Sequence, residues 1–278
     1  MSRKNRSKRT KSQQQLSSWL LDIVICVYGK FDLLTRCLDS IPDAAGDVKY
    51  RIILVDNNSP DRDEFYANLK TRVTLIKNKE NTGFVLASNQ GAKRGNSPLI
   101  LMLNSDVILD AGAIEKMIAG LDDPEIGVVG AKLRFPELAE HLHDPKMAGK
   151  IQHVGLASNI QGDFYHLFLG WDLEHPKVMA VRGVLAVTGA ALMTRRSLWK
   201  QIGGFDPVYG IGTYEDVEYC LHIQAMKKIV IVEQEATGIH FTNATAKEYA
   251  IGYPMHQNNM LLKSRWNGRY PWTSWLHH

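Results

Sequence analysis

Cysteine is scarce and unpatterned in this chain: Cys26, Cys37 and Cys220 are the only thiols, and no C-x-x-C pair occurs. An odd count without ligand spacing excludes a disulfide framework and a zinc ribbon. Cys26 and Cys220 lie in apolar segments and read as small buried hydrophobes. Long hydrophobic runs are missing too. The longest nearly apolar stretch, 183–193, is too short to cross a bilayer and carries Thr188. The basic start, 1–11, is followed by Gln13-Gln14-Gln15 instead of an apolar core, so no signal peptide is expected and the predicted location is cytoplasmic. Two nucleotide-binding signatures are absent as well. The first apolar run is followed by the lone Gly29 where G-x-G-x-x-G would need three glycines, and there is no Walker A sequence. A diphosphate ligand would have to be gripped differently, and a divalent cation on a carboxylate is the available substitute.

Charge is present but uneven. The formal net charge is +4, yet Arg3, Lys4, Arg6, Lys8, Arg9 and Lys11 all precede the first acid, Asp22. Without those side chains the remainder carries about −2. The basicity therefore belongs to a tail, 1–15, and not to a nucleic-acid-binding face. Such a tail reads first as a disordered solubilising arm. Its second reading is a tether giving peripheral contact with anionic lipid on the cytoplasmic face of a membrane. No stacking or base-reading module accompanies it, so nucleic acid is not an expected partner.

The body, 16–278, reads as a single α/β domain. Apolar runs at 22–28, 51–55, 73–76 and 99–103 suit buried strands, and helical periodicity fills 31–40, 83–94 and 111–121. Alternation at this pace predicts right-handed βαβ units, hence a Rossmann-like, mostly parallel central sheet flanked by helices. Residues 136–182, rich in His and Gly, read as an excursion over one end of the sheet. A strand over 183–193, helices over 195–202 and 215–226, a strand over 229–232 and a closing helix over 257–266 complete the pattern.

In an open α/β sheet, ligands bind beyond the carboxyl ends of the strands. Three of these ends are polar: Tyr28-Gly29-Lys30, Asp56-Asn57-Asn58 and Asn104-Ser105-Asp106. Turn chemistry alone explains any one of them, but two acids following two buried strands would face one crevice. Further on, Glu215, Asp216 and Glu218 open a helix. Thr213-x-x-Asp216 fits a capping box there. Ionised acids at a helix start, behind flexible Gly203-Gly204 and Gly210-Ile-Gly212, also suit a general base facing a cleft. His240 reads either as a core histidine or as a ligand. Asn243-Ala-Thr245 matches a glycosylation acceptor and is set aside without a secretion signal.

Taken in order, the blocks Asp56-Asn-Asn-Ser, Asn81-Thr-Gly83-Phe-Val-Leu-Ala-Ser-Asn89, Asn104-Ser105-Asp106, Val187-Thr-Gly189-Ala190, Gly203-Gly-Phe-Asp206, Tyr214-Glu215-Asp216-Val-Glu218 and Gly238-Ile-His240 resemble family 2 glycosyltransferases of the GT-A fold, especially the rhamnosyltransferase-like branch. The resemblance spans roughly residues 20 to 265. It implies an inverting, metal-dependent transfer of a sugar from a nucleotide-diphosphate donor, TDP-rhamnose or a UDP-sugar. The implied acceptor is a hydroxyl of a glycan or lipid-linked molecule in cell-surface polysaccharide synthesis. By that likeness 16–110 is the nucleotide-binding half, 111–250 the acceptor and catalytic half, and 251–278 a C-terminal helix and tail. The likeness makes Asp56 the acceptor of the nucleobase imide, helped by backbone around Tyr28. It places Asn81, Gly83, Asn89, Asn104, Ser105, Gly189 and Ala190 along the nucleotide-sugar, and puts Mg²⁺ or Mn²⁺ on Asp106 and His240. Asp216 becomes the base, with Glu215, Glu218 and Trp171 toward the acceptor; His153 and His166 share Trp171's excursion. Two departures stand out: Asn104 replaces the first acid of the D-x-D metal motif, and His222 and Gln224 replace a usual basic group. Two rivals are a non-catalytic nucleotide-sugar-binding protein and a sugar-phosphate nucleotidyltransferase.

Overall fold

Short β-branched runs bounded by turn formers become strands when they can be buried on both faces, and most of this chain's runs do so. The computed structural model describes residues 19–138, 142, 144–242 and 252–269. The basic tail 1–15, Asn243-Ala-Thr245 and the last part of the C-terminal tail lie outside the described residues.

The first half contains β1 (Leu21–Val27), α1 (Phe31–Ala45), β2 (Tyr50–Asp56), α2 (Arg62–Asn68), β3 (Thr74–Lys77), α3 (Gly83–Arg94), β4 (Leu99–Asn104), β5 (Val107–Leu109), α4 (Ala113–Gly120) and β6 (Ile126–Arg134). There follow β7 (Ile151–His153), β8 (Leu156–Ser158), β9 (Phe164–His166), α5 (Pro176–Met179), β10 (Ala191–Arg195), α6 (Arg196–Ile202), α7 (Glu215–Ala225), β11 (Ile229–His240) and α8 (Met255–Trp266). The main sheet runs β3-β2-β1-β4-β10-β6-β11-β5, with β7 added to β6; β8 and β9 form a separate hairpin. The strands β3, β2, β1 and β4 are mutually parallel, as are β6 and β11. Only β10, β5 and β7 oppose their neighbours.

Alternation along each strand divides the core. Ile23 and Ile25 of β1 pack with Leu34, Leu38, Ile114 and Met117 from α1 and α4. Val24 packs on the other side with Val85, Leu198, Tyr219, Leu221 and Leu262 from α3, α6, α7 and α8. With helices on both faces the strands read as nearly continuous apolar runs. The exception is Asp22, fully buried in β1. Its Oδ1 accepts from Arg51 at 2.7 Å and from the Ser97 hydroxyl at 2.8 Å; Oδ2 accepts from Arg196 at 2.6 Å and from the Ser97 N–H at 2.8 Å. This charge cluster ties β1, β2, α6 and the turn before β4 together at the sheet end opposite the strands' carboxyl termini. Breaking a buried ion pair from one side leaves an uncompensated charge. Arg196→Met is therefore expected to cost about 3 kcal/mol or more, read as a lower urea midpoint at unchanged m-value.

Several expectations need correction. The apolar stretch 183–193 is not one strand: only Ala191–Arg195 joins the sheet, as β10. Val184, Leu185, Ala186 and Val187 are buried in a crossing loop held by single bridges from Gly183 to Ile231 and from Ala186 to Leu156. The nine-residue β6 was not expected, because Gly127 and Gly130 interrupt its apolar pattern. Those glycines answer to packing: a Cβ on Gly130 would lie 2.6 Å from the Val187 side chain. β11 runs eight residues beyond the expected end at Val232, through an irregularity between Glu233 and Thr237, to His240. α1 continues to Ala45 past Pro42, and α2 and β5 were also unforeseen.

A candidate nucleotide and metal site at the strand ends

A crevice of about 320 Å³ opens beyond the carboxyl ends of β1 and β4. It is lined by Tyr28, Asn57, Asn81 and Gly83, by Asn104, Ser105 and Asp106 after β4, by Thr188, Gly189 and Ala190 before β10, by Glu215 and Asp216 of α7, by His240 of β11, and by Tyr253 and Met255. The structure thus brings together eleven of the fifteen site residues read from the sequence. Among the described residues that line it, there is no lysine or arginine.

Asp106 follows β4, and β11 delivers His240 beside it by pairing that residue with Val107. His240 Nε2 lies 3.4 Å from Asp106 Oδ1, while Nδ1 is 3.3 Å from Gln152 Oε1. An amide oxygen only accepts, so Nδ1 donates to it and Nε2 is the ring nitrogen that faces Asp106. A ligating histidine oriented by an acceptor on its other nitrogen has this arrangement. Nearby, Asn104 Oδ1 is buried without a hydrogen-bond partner. No group of three or more His, Cys, Asp or Glu side chains among the described residues surrounds a cation position. A divalent ion on Asp106 and His240 would therefore complete its shell with ligand oxygens, which suits Mg²⁺ or Mn²⁺ with a diphosphate. The residues present fit that role. Gln152 was not foreseen, since its position depends on β7 closing onto β6.

The capping box does not form. The residue before α7 is Tyr214, with φ 69°, and no side chain caps the helix. Asp216 is used otherwise: Oδ2 accepts from the Gly189 N–H at 2.7 Å and Oδ1 from the Val217 N–H at 2.8 Å. Burial pushes the Asp216 carboxyl above its ordinary value, against the lowering effect of those N–H groups. Burial, followed by the neighbouring Asp216 charge, pushes Glu215 well up. Glu215 Oε2 is buried without a hydrogen-bond partner. The turn leading here is strained: Thr213 and Tyr214 have φ of 81° and 69°, after Gly210 at 59° and Gly212 at 134°. Each non-glycine in that region costs roughly 1–2 kcal/mol, which persists only where surroundings dictate it. α3 is one such surrounding, since the Phe84 N–H donates to Ile211 O at 3.0 Å. Gly83 must be glycine there, because its φ is 83° and a Cβ would sit 2.8 Å from Gly210 O.

Four expected site residues do not reach the crevice. Asp56 is fully buried and faces α2. Its Oδ1 accepts from the Ser59 N–H at 2.9 Å and Arg62 at 3.1 Å, and its Oδ2 from the Tyr66 hydroxyl at 2.7 Å. A nucleobase would meet it only if Arg62 or Tyr66 moved aside. The next residue, Asn57, takes the wall position, bonding Asn81 Oδ1 at 2.7 Å and accepting from Thr82 N–H at 3.1 Å. Asn89 instead clasps the Phe205 backbone, donating to its carbonyl at 2.7 Å and accepting from its N–H at 3.0 Å. Glu218 is spent on Arg265 at 2.7 Å and the Trp266 indole at 3.0 Å. Trp171 lies on the excursion, packed edgewise on Phe168 and His175. His153 and His166 are likewise absent from the walls; they bond each other at 3.0 Å. His153 Nε2 accepts from the Thr188 N–H at 3.2 Å, so the pair supports the turn beside Gly189. Burial holds His153 well below the usual histidine range and lowers His166 to about 4, so both are neutral at physiological pH.

A mostly parallel sheet with a polar crevice at its strand ends, lined in part by an Asp–His pair, is the arrangement in which open α/β proteins bind ligands. The chain belongs to glycosyl transferase family 2, whose sequence profile matches residues 22–167, and its fold is GT-A. It is 27% identical to the O-antigen biosynthesis protein RfbC of Myxococcus xanthus over 83% of this chain and 18% of that protein. It is 32% identical to an N-acetylglucosaminyltransferase of Rhizobium sp. (strain N33) over 41% of this chain and 26% of that one. The chain thus spans well under a third of the length of these curated relatives. Among solved structures, GalNAc-T7 with UDP, GalNAc and Mn²⁺ superposes with a TM-score of 0.64 at 16% identity, over 79% of this chain and 42% of that one. The mannosyltransferase PcManGT of Pyrobaculum calidifontis, with GDP-Man and Mn²⁺, gives 0.55 at 15% identity, over 88% and 68%. No described helix is long and apolar enough to cross a membrane.

Proposed function

We infer that this chain transfers a sugar, with inversion, from a UDP- or TDP-linked donor to a hydroxyl of a glycan or lipid-linked acceptor in cell-surface polysaccharide synthesis. The carrying observation is that the Asp106–His240 pair and the Asp216 carboxylate held by the Gly189 N–H line one crevice. Asp106 and His240 would hold Mg²⁺ or Mn²⁺, which supplies charge to offset that growing on the leaving diphosphate. The need is acute because the crevice has three acids and no basic side chain of its own among the described residues. Tyr28, Asn57 and Asn81 face the nucleoside, and Gly189 and Ala190 leave room for the donor sugar. Asp216 takes the acceptor proton as that oxygen attacks the anomeric carbon. A single displacement needs one base and no protein nucleophile, and Glu215 is left to hold the acceptor. Bonds to Gly189 and Val217 fix the Asp216 carboxylate before substrate arrives, which is the preorganisation a base requires.

Names among the relatives and neighbours support the reading: O-antigen biosynthesis, N-acetylglucosaminyltransferase, and complexes with UDP or GDP-Man and Mn²⁺. The nucleotidyltransferase rival would need Arg or Lys to grip a triphosphate, and none of the described residues lining the crevice is either. Thermal shift with UDP, TDP, GDP, UDP-N-acetylglucosamine and TDP-rhamnose, each with and without Mn²⁺, tests the donor. Stabilisation by UDP or TDP only with the ion is expected; equal stabilisation without it, or none, removes the reading. The binding-only rival fails if donor hydrolysis is detected. Action at the cytoplasmic face, with the basic tail on anionic lipid, is the accompanying proposal. Loss of sedimentation with phosphatidylserine vesicles on deleting residues 1–15 is its expected sign.

A further inference from the structure

Asn258 is nearly fully buried in α8, although it is polar and does not line the crevice. Its side-chain nitrogen lies 3.2 Å from Tyr209 O, 2.9 Å from Gly212 O, 3.0 Å from Thr213 O and 3.1 Å from Thr213 Oγ1. Three of these four acceptors belong to the turn that enters α7, where residues 210, 212, 213 and 214 all have positive φ, and Tyr209 O immediately precedes it. Backbone in that state needs outside partners for its carbonyls, and one buried amide, with two hydrogens to share, faces those of Gly212 and Thr213.

α8 is itself fastened at both ends of this contact. Asn259 donates to Asp163 at 2.9 Å, and Arg265 bridges Glu218 and Asp206, both at 2.7 Å. The turn is thus gripped by α3 on one side, through Phe84 and Ile211, and by α8 on the other.

We propose that Asn258 is a positioning residue, its buried amide holding the Gly210–Tyr214 turn in the one conformation that sets Asp216 against the Gly189 N–H. It touches no substrate and acts through Asp216. Only the turnover consequence rests on Asp216 being the base; the geometric consequence does not.

The test uses full-length Asn258→Ala and Asn258→Ser, alone and with Asp216→Asn. Amide hydrogen exchange at Gly189 reports the Asp216 contact from a strand loop remote in sequence. Exchange there is expected to quicken about tenfold in the Ala variant while β1 amides such as Ile23 stay protected, a local opening rather than global loss. Serine, which keeps a donor, should fall between. TDP or UDP release from TDP-rhamnose or UDP-N-acetylglucosamine should slow roughly ten- to a hundredfold, the scale of a misplaced catalytic group. Affinity for UDP and TDP should be unchanged, and in the Asp216→Asn background Asn258→Ala should cost nothing more. Unchanged exchange at Gly189 in a folded variant overturns the proposal, as does a loss carried wholly by nucleotide affinity. Should the Ala protein fail to fold, Gly189 exchange and nucleotide affinity in the Ser protein decide in the same way. Faster Gly189 exchange with undiminished turnover would keep Asn258 in its place and remove Asp216 from the role of base.

Discussion

Asp216→Asn is expected to lower the transfer rate by roughly 10²–10⁴, the usual worth of a general base, while UDP or TDP binding in Mn²⁺ stays as before. The amide keeps one oxygen for the Gly189 N–H but sets its NH2 where the Val217 N–H was accepted, so unchanged nucleotide binding and Gly189 exchange are the check that the turn survives. A pH profile adds a second reading. Asp216 must be ionised to act, and burial raises its carboxyl above the ordinary value of 3.8. The wild-type rate should therefore climb with pH through a limb lying above that value and then level off. In the Asn variant the residual rate should lack this limb. Glu215 carries the same logic into stability. Its folded form favours the proton, so the stabilisation is complete below about 4.5, the unperturbed value, and is lost as pH rises through the raised folded one. Glu215→Gln should accordingly raise the melting temperature at pH 7, with the gain shrinking toward pH 4. Equal melting temperatures across that range would contradict the burial argument.

Asp106→Ala is expected to abolish the dependence of nucleotide binding on Mg²⁺ or Mn²⁺, and transfer with it. Removing it leaves His240 as the lone ligand, and a crevice whose remaining acids repel a diphosphate. Calorimetric titration of UDP and TDP, with and without Mn²⁺, measures this directly. Chelator should reproduce the effect in the native protein and be reversed by added metal. Gln152→Leu offers a milder variant: it frees the His240 ring, and loss of such an orienting partner typically costs 10- to 100-fold in metal affinity. Identical Mn²⁺ affinity in native and Asp106→Ala protein would move the ion elsewhere.

Local pattern is a good guide to this chain where contacts are local. The parallel strands β1, β2, β3 and β4 and the helix α3 follow from apolar runs and helical periodicity close in sequence, and the ordered motifs set Asn104, Asp106, Asp216 and His240 around one crevice. It misleads where burial arises from distant segments. The stretch around Val184–Val187 is as apolar as a strand because Gly130 and Gly155 open grooves for it, not because it pairs in the sheet. β6 hides behind Gly127 and Gly130. Asp56 and Asn57 are adjacent letters, but the end of a strand sends neighbours in opposite directions, and only the fold shows which one faces the ligand. Gln152, Tyr253 and Asn258 carry no motif, and their roles exist only once β7 and α8 have closed onto the sheet.

A lining with three acids and no lysine or arginine among the described residues has a consequence for how the protein would sense its surroundings. If ion and nucleotide each enter poorly alone, the free energy by which one assists the other must act equally in both directions. Nucleotide affinity then follows the free cation level of the compartment, and departure of the spent diphosphate is linked to departure of the ion. Turnover would slow when the ion is too scarce to admit donor, and again when it is so abundant that product lingers. A maximum in rate against Mn²⁺ concentration is the form this coupling would take.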